Sequence, residues 1–111
     1  MSISVVMLSF NQMDFLPKAV NSVLSQESVD LEFIIVDPGS TDGSREFLRN
    51  AALKDNRMIL IFEPDAGPAD GLNKGFGRAT HEFVGYLNSD DIYLPSTLRL
   101  VEDRFNLYEE I

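Results

Sequence analysis

The chain has 111 residues, 44% apolar and 24% charged, enough for one domain with a modest core, and it contains no apolar run of membrane-spanning length. Its 18 acidic residues against 9 basic ones leave a net charge of −9, which argues against nonspecific attraction to nucleic acid or anionic lipid. With no cysteine, disulfides, thiolate metal sites and cysteine nucleophiles are excluded. A start without basic n-region or cleavage site implies a cytoplasmic address, free or peripheral at the membrane.

Taken in chain order, residues 3–8 form the first predicted strand, after which Leu16, Ala19, Val20, Val23 and Leu24 recur at helical spacing. A second strand is predicted over 31–37, and its helix carries Phe47, Leu48, Ala51 and Ala52. The third strand covers 58–63 and precedes a helix with Ala69, Leu72, Phe76 and Ala79. A fourth strand over 82–87 leads to a fourth helix, with Leu94, Leu98, Val101, Phe105 and Tyr108 on one stripe and Pro95 in its first turn. Such alternation predicts an α/β fold, a mainly parallel sheet with flanking helices. The runs LEFIIV (31–36) and MILIF (58–62) read as fully buried strands.

Right-handed crossovers bring the strand-to-helix loops of such a sheet to one edge, where α/β proteins bind ligands. That edge collects Ser9, Phe10 and Asn11, then residues 37–43, then 64–67, then Asn88, Ser89, Asp90 and Asp91. Six carboxylates are expected on this rim: Asp37, Asp42, Asp65, Asp70, Asp90 and Asp91. Like charges in one place require cations or hydrogen bonds to offset them, so a divalent metal, Mg²⁺ or Mn²⁺, is expected there. Duller roles compete residue by residue. Thr41 and Asp42 are good helix caps, and Asp37 ends a strand before a rigid Pro-Gly turn. Asp90 and Asp91 supply hard oxygen ligands but also suit a capping loop.

Gly67, Gly71 and Gly75 recur every four residues along the third helix, although an interior glycine costs up to about 1 kcal/mol relative to alanine. Close packing of helix on sheet explains that spacing; backbone approach to a ligand is the alternative for Gly67. His81, the single histidine, falls in a polar loop and reads as surface. The 37–43 loop has Asp42 where a calcium loop needs its sixth-position glycine, which excludes that motif.

Four segments in this order, ISVVMLSFN (3–11), IIVDPGSTDG (34–43), GPADGLNKG (67–75) and YLNSDD (86–91) followed by Leu94-Pro95, resemble the family 2 glycosyltransferases of GT-A fold. The resemblance covers nearly the whole chain and implies a single nucleotide-sugar-binding domain over 1–111, the Rossmann-like half of that fold. It implies that Asp37 contacts the nucleobase, that Ser9, Phe10, Asn11, Asp65, Gly67 and Asp70 line the nucleotide pocket, and that Asn88 and Ser89 belong to a DxD-like motif. In that motif Asp90, with Asp91 beside it, holds the metal between the two phosphates. The implied reaction is a single displacement of a nucleoside diphosphate from its sugar by an acceptor hydroxyl.

Three departures from the family pattern stand out: Pro38 and Asn88 each replace an Asp, and Leu72 replaces an Arg. Nucleotide preference is left open by the first and third, and Asn88 lowers the charge offered to a metal. No residue is assigned as catalytic base, and the acceptor is unknown, because the family's acceptor region lies beyond a chain of this length. A nucleotide-binding module without turnover is therefore the alternative reading, with homo-oligomers expected from apolar surface left uncovered. A receiver-type phosphoacceptor domain is disfavoured, since Ser9, Phe10 and Asn11 lack its paired acids.

Overall fold

A computed structural model describes residues 2–26, 30–90 and 97–98. Strands β1 (Ser2–Leu8), β2 (Asp30–Asp37), β3 (Met58–Phe62) and β4 (Phe83–Asn88) alternate with helices α1 (Leu16–Leu24), α2 (Ser44–Lys54) and α3 (Pro68–Arg78). The strands pair in the order β3-β2-β1-β4, every pair parallel. This is the expected α/β architecture. Each predicted strand lies within one residue of an observed one at either end.

Period-two alternation of side chains divides the core between the two faces of the sheet. On one face Ile3, Val5, Met7, Phe33 and Ile35 pack with Leu16, Ala19, Val20 and Val23 of α1 and with Leu48 of α2. On the other, Val6, Ile34 and Val36 pack with Leu72 and Ala79 at α3. Helices thus cover both faces of β1 and β2, which is why 33–37 are all buried. Residues 58–62 behave differently from the expectation. Only Met58 is buried and the rest are half-buried, because β3 pairs on one side alone in the described sheet.

Glycine settles how close α3 can come. A Cβ at Gly75 would stand 2.4 Å from Val6 Cγ1, and one at Gly71 would stand 3.1 Å from Leu8 Cδ2. Packing on the sheet accounts for Gly75, and for Gly71 the sheet shares the space with Asp65, whose Oδ2 would lie 2.9 Å from the added Cβ. Gly67 differs: its φ of 117° is a backbone conformation that L residues rarely adopt, and it starts the helix before Pro68. His81 is not a plain surface residue either, since its ring stands 3.5 Å from Asp30 Oδ1 and its N–H donates to Ser4 Oγ.

The order β3-β2-β1-β4 reverses direction at β1, so the chain leaves β1 toward β2 and returns on the opposite side as β4. A crevice at the carboxyl ends of the strands follows from this topology, at the place where α/β sheets bind ligands. The predicted fourth helix, with Leu94, Pro95, Val101, Phe105 and Tyr108, lies outside the described residues. Within them, Leu98 is buried and its N–H donates to Gln26 Oε1 at 2.9 Å. No helix among the described residues is long and apolar enough to cross a membrane.

Candidate functional site

The loops after β1 and β2 are sewn to each other before any ligand arrives. Ser9 extends the ladder, its N–H donating to Val36 O at 2.9 Å, and its hydroxyl donates to Asp37 Oδ2 at 3.2 Å. Asn11 adopts φ 51°, a left-handed conformation that asparagine tolerates. From there its N–H donates to Ser40 Oγ at 2.9 Å and its Oδ1 accepts the Thr41 N–H at 2.8 Å. Asp42 completes the seam by accepting the Met13 N–H at 2.9 Å through Oδ2.

Asp37 is the hub of this arrangement. Its side chain is fully buried, a position that is costly for a carboxylate unless donors surround it. Oδ1 accepts the N–H groups of Gly39 and Ser40, at 3.0 and 2.7 Å, and lies 3.4 Å from Arg45 Nε. Oδ2 accepts from the hydroxyls of Ser9 and Ser40, the latter at 2.6 Å. Arg45 also donates to the Asp37 carbonyl at 2.8 Å while its guanidinium stacks 4.8 Å from the Phe62 ring. The N-cap of α2 is Gly43 rather than Thr41 or Asp42, and Asp42 instead accepts the Ser44 N–H at 3.1 Å and its hydroxyl at 2.6 Å just before the helix. The Ser44 hydroxyl and then the Met13 N–H hold the Asp42 carboxyl below its ordinary pKa of 3.8.

The third loop is built the same way. Asp65 Oδ1 accepts the Gly67 N–H at 2.9 Å, and Asp70 Oδ2 accepts the Ala66 N–H at 3.0 Å. Lys74 donates to the Pro64 carbonyl at 2.5 Å and stands 3.4 and 3.6 Å from the carboxylates of Glu63 and Asp70. The Ala66 N–H, reinforced by Lys74, lowers the Asp70 carboxyl below its ordinary value.

Between these loops lies a cleft of about 400 Å³, within the range of small-molecule sites. Leu8, Ser9 and Phe10 line it from the end of β1, Val36 and Pro38 from the end of β2, and Asp65, Gly67 and Pro68 from the loop before α3 and the first residue of that helix. Phe10 is 57% exposed, a flat ring left uncovered at the mouth. At the end of β4, Asn88 and Asp90 are exposed and Ser89 is buried, with the Tyr86 hydroxyl donating to Asn88 Oδ1.

This chain belongs to glycosyl transferase family 2. The profile of that family, described as Glycosyl transferase family 2, matches residues 4–109. A glycosyltransferase of Nostoc sp. is 37% identical over 106 residues, covering 95% of this chain and 33% of the relative. The GalNAc(5)-diNAcBac-PP-undecaprenol beta-1,3-glucosyltransferase of Campylobacter jejuni is 31% identical over 106 residues, covering 94% and 34%. The chain therefore spans about a third of the length of these relatives. Among solved structures, S. aureus TarS 1-349 in complex with UDP superimposes with a TM-score of 0.84 at 23% identity, over 98% of this chain and 33% of that one. The mannosyltransferase PcManGT of Pyrobaculum calidifontis, in complex with GDP-Man and Mn²⁺, gives 0.77 at 24% identity, over 85% and 29%. These likenesses establish the Rossmann-like, GT-A type of fold.

Within this family 2 chain, Ser9, Phe10, Asp65 and Gly67 of the expected pocket residues line the cleft together. Asn11, Asp37 and Asp70 stand behind it, holding the loops that form its walls. Sequence reasoning missed Pro38 and Pro68 as cleft walls and Arg45 as the partner of Asp37. For Arg45 no sequence signal exists, because only the packing of α2 beside β3 brings it to Phe62 and Asp37. The Asx turn was recoverable, since an aspartate before such a turn accepts the backbone N–H two residues on, here Gly39, and Ser40 follows in the same turn.

The carboxylates do not gather as expected. Among the described residues no three acidic or histidine side chains are placed to share a metal ion, and each of Asp37, Asp42, Asp65 and Asp70 is held by protein donors instead. Asp91 lies outside the described residues. A metal held by one or two protein oxygens and completed by phosphates and water needs no such cluster, and the exposed oxygens of Asn88 and Asp90 fit that kind of site.

Proposed function

We propose that this chain is the donor-binding part of a glycosyltransferase that takes a nucleoside-diphosphate sugar and delivers the sugar to an acceptor hydroxyl, in the cytoplasm or peripherally at the membrane. The cleft at the carboxyl ends of β1 and β2 carries this reading, because its walls are fastened before ligand binding and its flat apolar sides suit a nucleobase. The reading gains weight from TarS and PcManGT, whose solved complexes hold UDP and GDP-Man.

In this reading Phe10 and Pro38 flank the base, while the Asn11–Thr41 and Met13–Asp42 bonds keep the walls at a set separation. Asp90 and Asn88 would hold a divalent cation, which supplies charge neutralisation for the departing diphosphate when bound. Positioning by the prefastened loops lowers the entropy to be lost at the moment of transfer. The deprotonation of the acceptor hydroxyl is assigned to no residue of these 111.

The test is thermal denaturation with UDP and GDP, each with and without Mn²⁺. A ligand at 100 times its Kd stabilises the folded state by about 2.7 kcal/mol, which a melting curve resolves. We expect a Mn²⁺-dependent rise that Asp90→Asn removes without altering the melting temperature of the free chain. No rise with any nucleoside diphosphate would overturn the reading.

A further inference from the structure

The loops that line the cleft are not fastened alike. Those after β1 and β2 are bonded to each other, through Ser9 with Asp37, Asn11 with Ser40 and Thr41, and Met13 with Asp42. Residues 64–67, which bring Asp65 and Gly67 to the cleft, make no hydrogen bond or ion pair to either of those loops among the described residues. Apart from the Gly67 N–H, which turns back to Asp65, their partners all lie on α3. The Ala66 N–H donates to Asp70 Oδ2, the Gly67 carbonyl accepts the Gly71 N–H at 3.1 Å, and the Pro64 carbonyl accepts from Lys74 Nζ at 2.5 Å.

Proline offers no N–H, so its carbonyl is the only backbone group by which Pro64 can be held. Lys74 supplies the donor, and its ammonium also stands 3.4 Å from Glu63 Oε1 and 3.6 Å from Asp70 Oδ2. Asp70 and Lys74 have the i,i+4 spacing at which a carboxylate and an ammonium pair along a helix. That pair therefore grips the loop twice, at Ala66 through the carboxylate and at Pro64 through the ammonium. The Lys74 side chain is 27% exposed, and a partly buried pair is screened by salt much less than one in open solvent. We infer that Lys74 is a positioning residue of the donor site, which acts through Pro64 to set the wall of Asp65, Gly67 and Pro68 against the two loops already locked together. This rests on the donor-binding reading above and deepens it. A residue that sets a wall, rather than reading a base, affects every nucleotide alike.

Calorimetric titration with UDP and GDP in Mn²⁺ tests the assignment on the unaltered chain, Lys74→Met and Lys74→Arg, alongside amide hydrogen exchange of the three free proteins. Methionine keeps a long unbranched stem and removes the donor, whereas arginine still donates to a carbonyl and pairs with both carboxylates. We expect Lys74→Met to weaken both nucleotides by about tenfold, the scale of one lost charge-assisted hydrogen bond, and Lys74→Arg to recover most of that loss. The Ala66 and Gly67 amides should exchange faster in Lys74→Met while those of Ile34 and Ile35, in the central strand of the β1-β2-β3 ladder, stay as they were. A lysine that merely stabilised the fold would speed loop and ladder together. Exchange that rises equally in both would therefore overturn the inference, as would unchanged nucleotide affinity in Lys74→Met. A loss confined to one of the two nucleotides would overturn it too, by placing Lys74 against a base. Binding of neither nucleotide by the unaltered chain would remove the proposed function and this role with it, an outcome distinct from a loss seen only in the variant.

Discussion

Asp37 shows how a residue can hold the walls of a cleft without lining it. Its carboxylate collects donors from the β1 and β2 loops and from α2, so three elements depend on one buried charge. Removing an acceptor so that buried donors are left unsatisfied costs about 1 to 3 kcal/mol for each donor stranded, and Asp37 takes several. Asp37→Ala should therefore lose stability on that scale in urea denaturation, even with no nucleotide present. A loss below about 1 kcal/mol would be the size of an ordinary surface change and would contradict the hub. Arg45 is the less costly partner to remove, because its guanidinium is partly solvated and Asp37 retains four other donors.

Helix α3 carries three glycines with three different environments, and they predict opposite outcomes for one substitution. At Gly75 an added methyl meets Val6 Cγ1, so Gly75→Ala gains up to about 1 kcal/mol of helix propensity but forces overpacking that costs about 1 to 3 kcal/mol. Packing wins and the variant should be less stable. Gly77 faces open space, with nothing within 4 Å of the added Cβ, so Gly77→Ala should be neutral to stabilising by about 0.5 to 1 kcal/mol. Guanidinium midpoints for the two variants check the contrast, and a matching shift in both would show that helix propensity alone decides. Gly71 stands apart, because the neighbour it would crowd is the movable carboxylate of Asp65 rather than a strand side chain alone.

At the scale of the molecule, acid sensitivity follows from how the many carboxylates are satisfied. Glu32 joins β1, β2 and the turn before β4. Burial pushes its carboxyl up, but the Thr80 N–H, the hydroxyls of Ser4 and Thr80 and the charge of His81 together hold it below the ordinary 4.5. Asp42, Asp55 and Asp70 also titrate below the ordinary 3.8, held chiefly by the Ser44 hydroxyl, by Arg57 and by the Ala66 N–H respectively. Groups whose pKa is depressed on folding bind protons more readily unfolded. Their stabilisation is complete above the unfolded values and is lost as pH falls through the folded ones. Stability should thus decline from 4.5 downward, and more gently in Glu32→Gln, measured as the urea midpoint against pH. An equal decline in that variant would show that Glu32 carries none of it.

Much of this was legible in the chain itself. The alternation of apolar runs and helical stripes determined the α/β class and the parallel sheet, because strand and helix periods are local and each element must bury its own apolar face. The same pattern placed the strand-to-helix loops together, since topology sends every one of them to one edge of the sheet. What the sequence left open was which rim residues touch each other. Asp37, Asp42, Asp65 and Asp70 look alike as letters, yet one is an entombed hub, two fasten loops, and one lines the cleft. For Asp37 and Asp42 part of the difference depends on contacts between residues about 30 positions apart, Ser9 with Asp37 and Met13 with Asp42. The half-burial of β3 was likewise invisible, because a MILIF segment reads the same at the centre of a sheet or at its border. Only the tertiary arrangement assigns neighbours, and for a carboxylate the neighbours decide whether it supports the fold or reads a ligand.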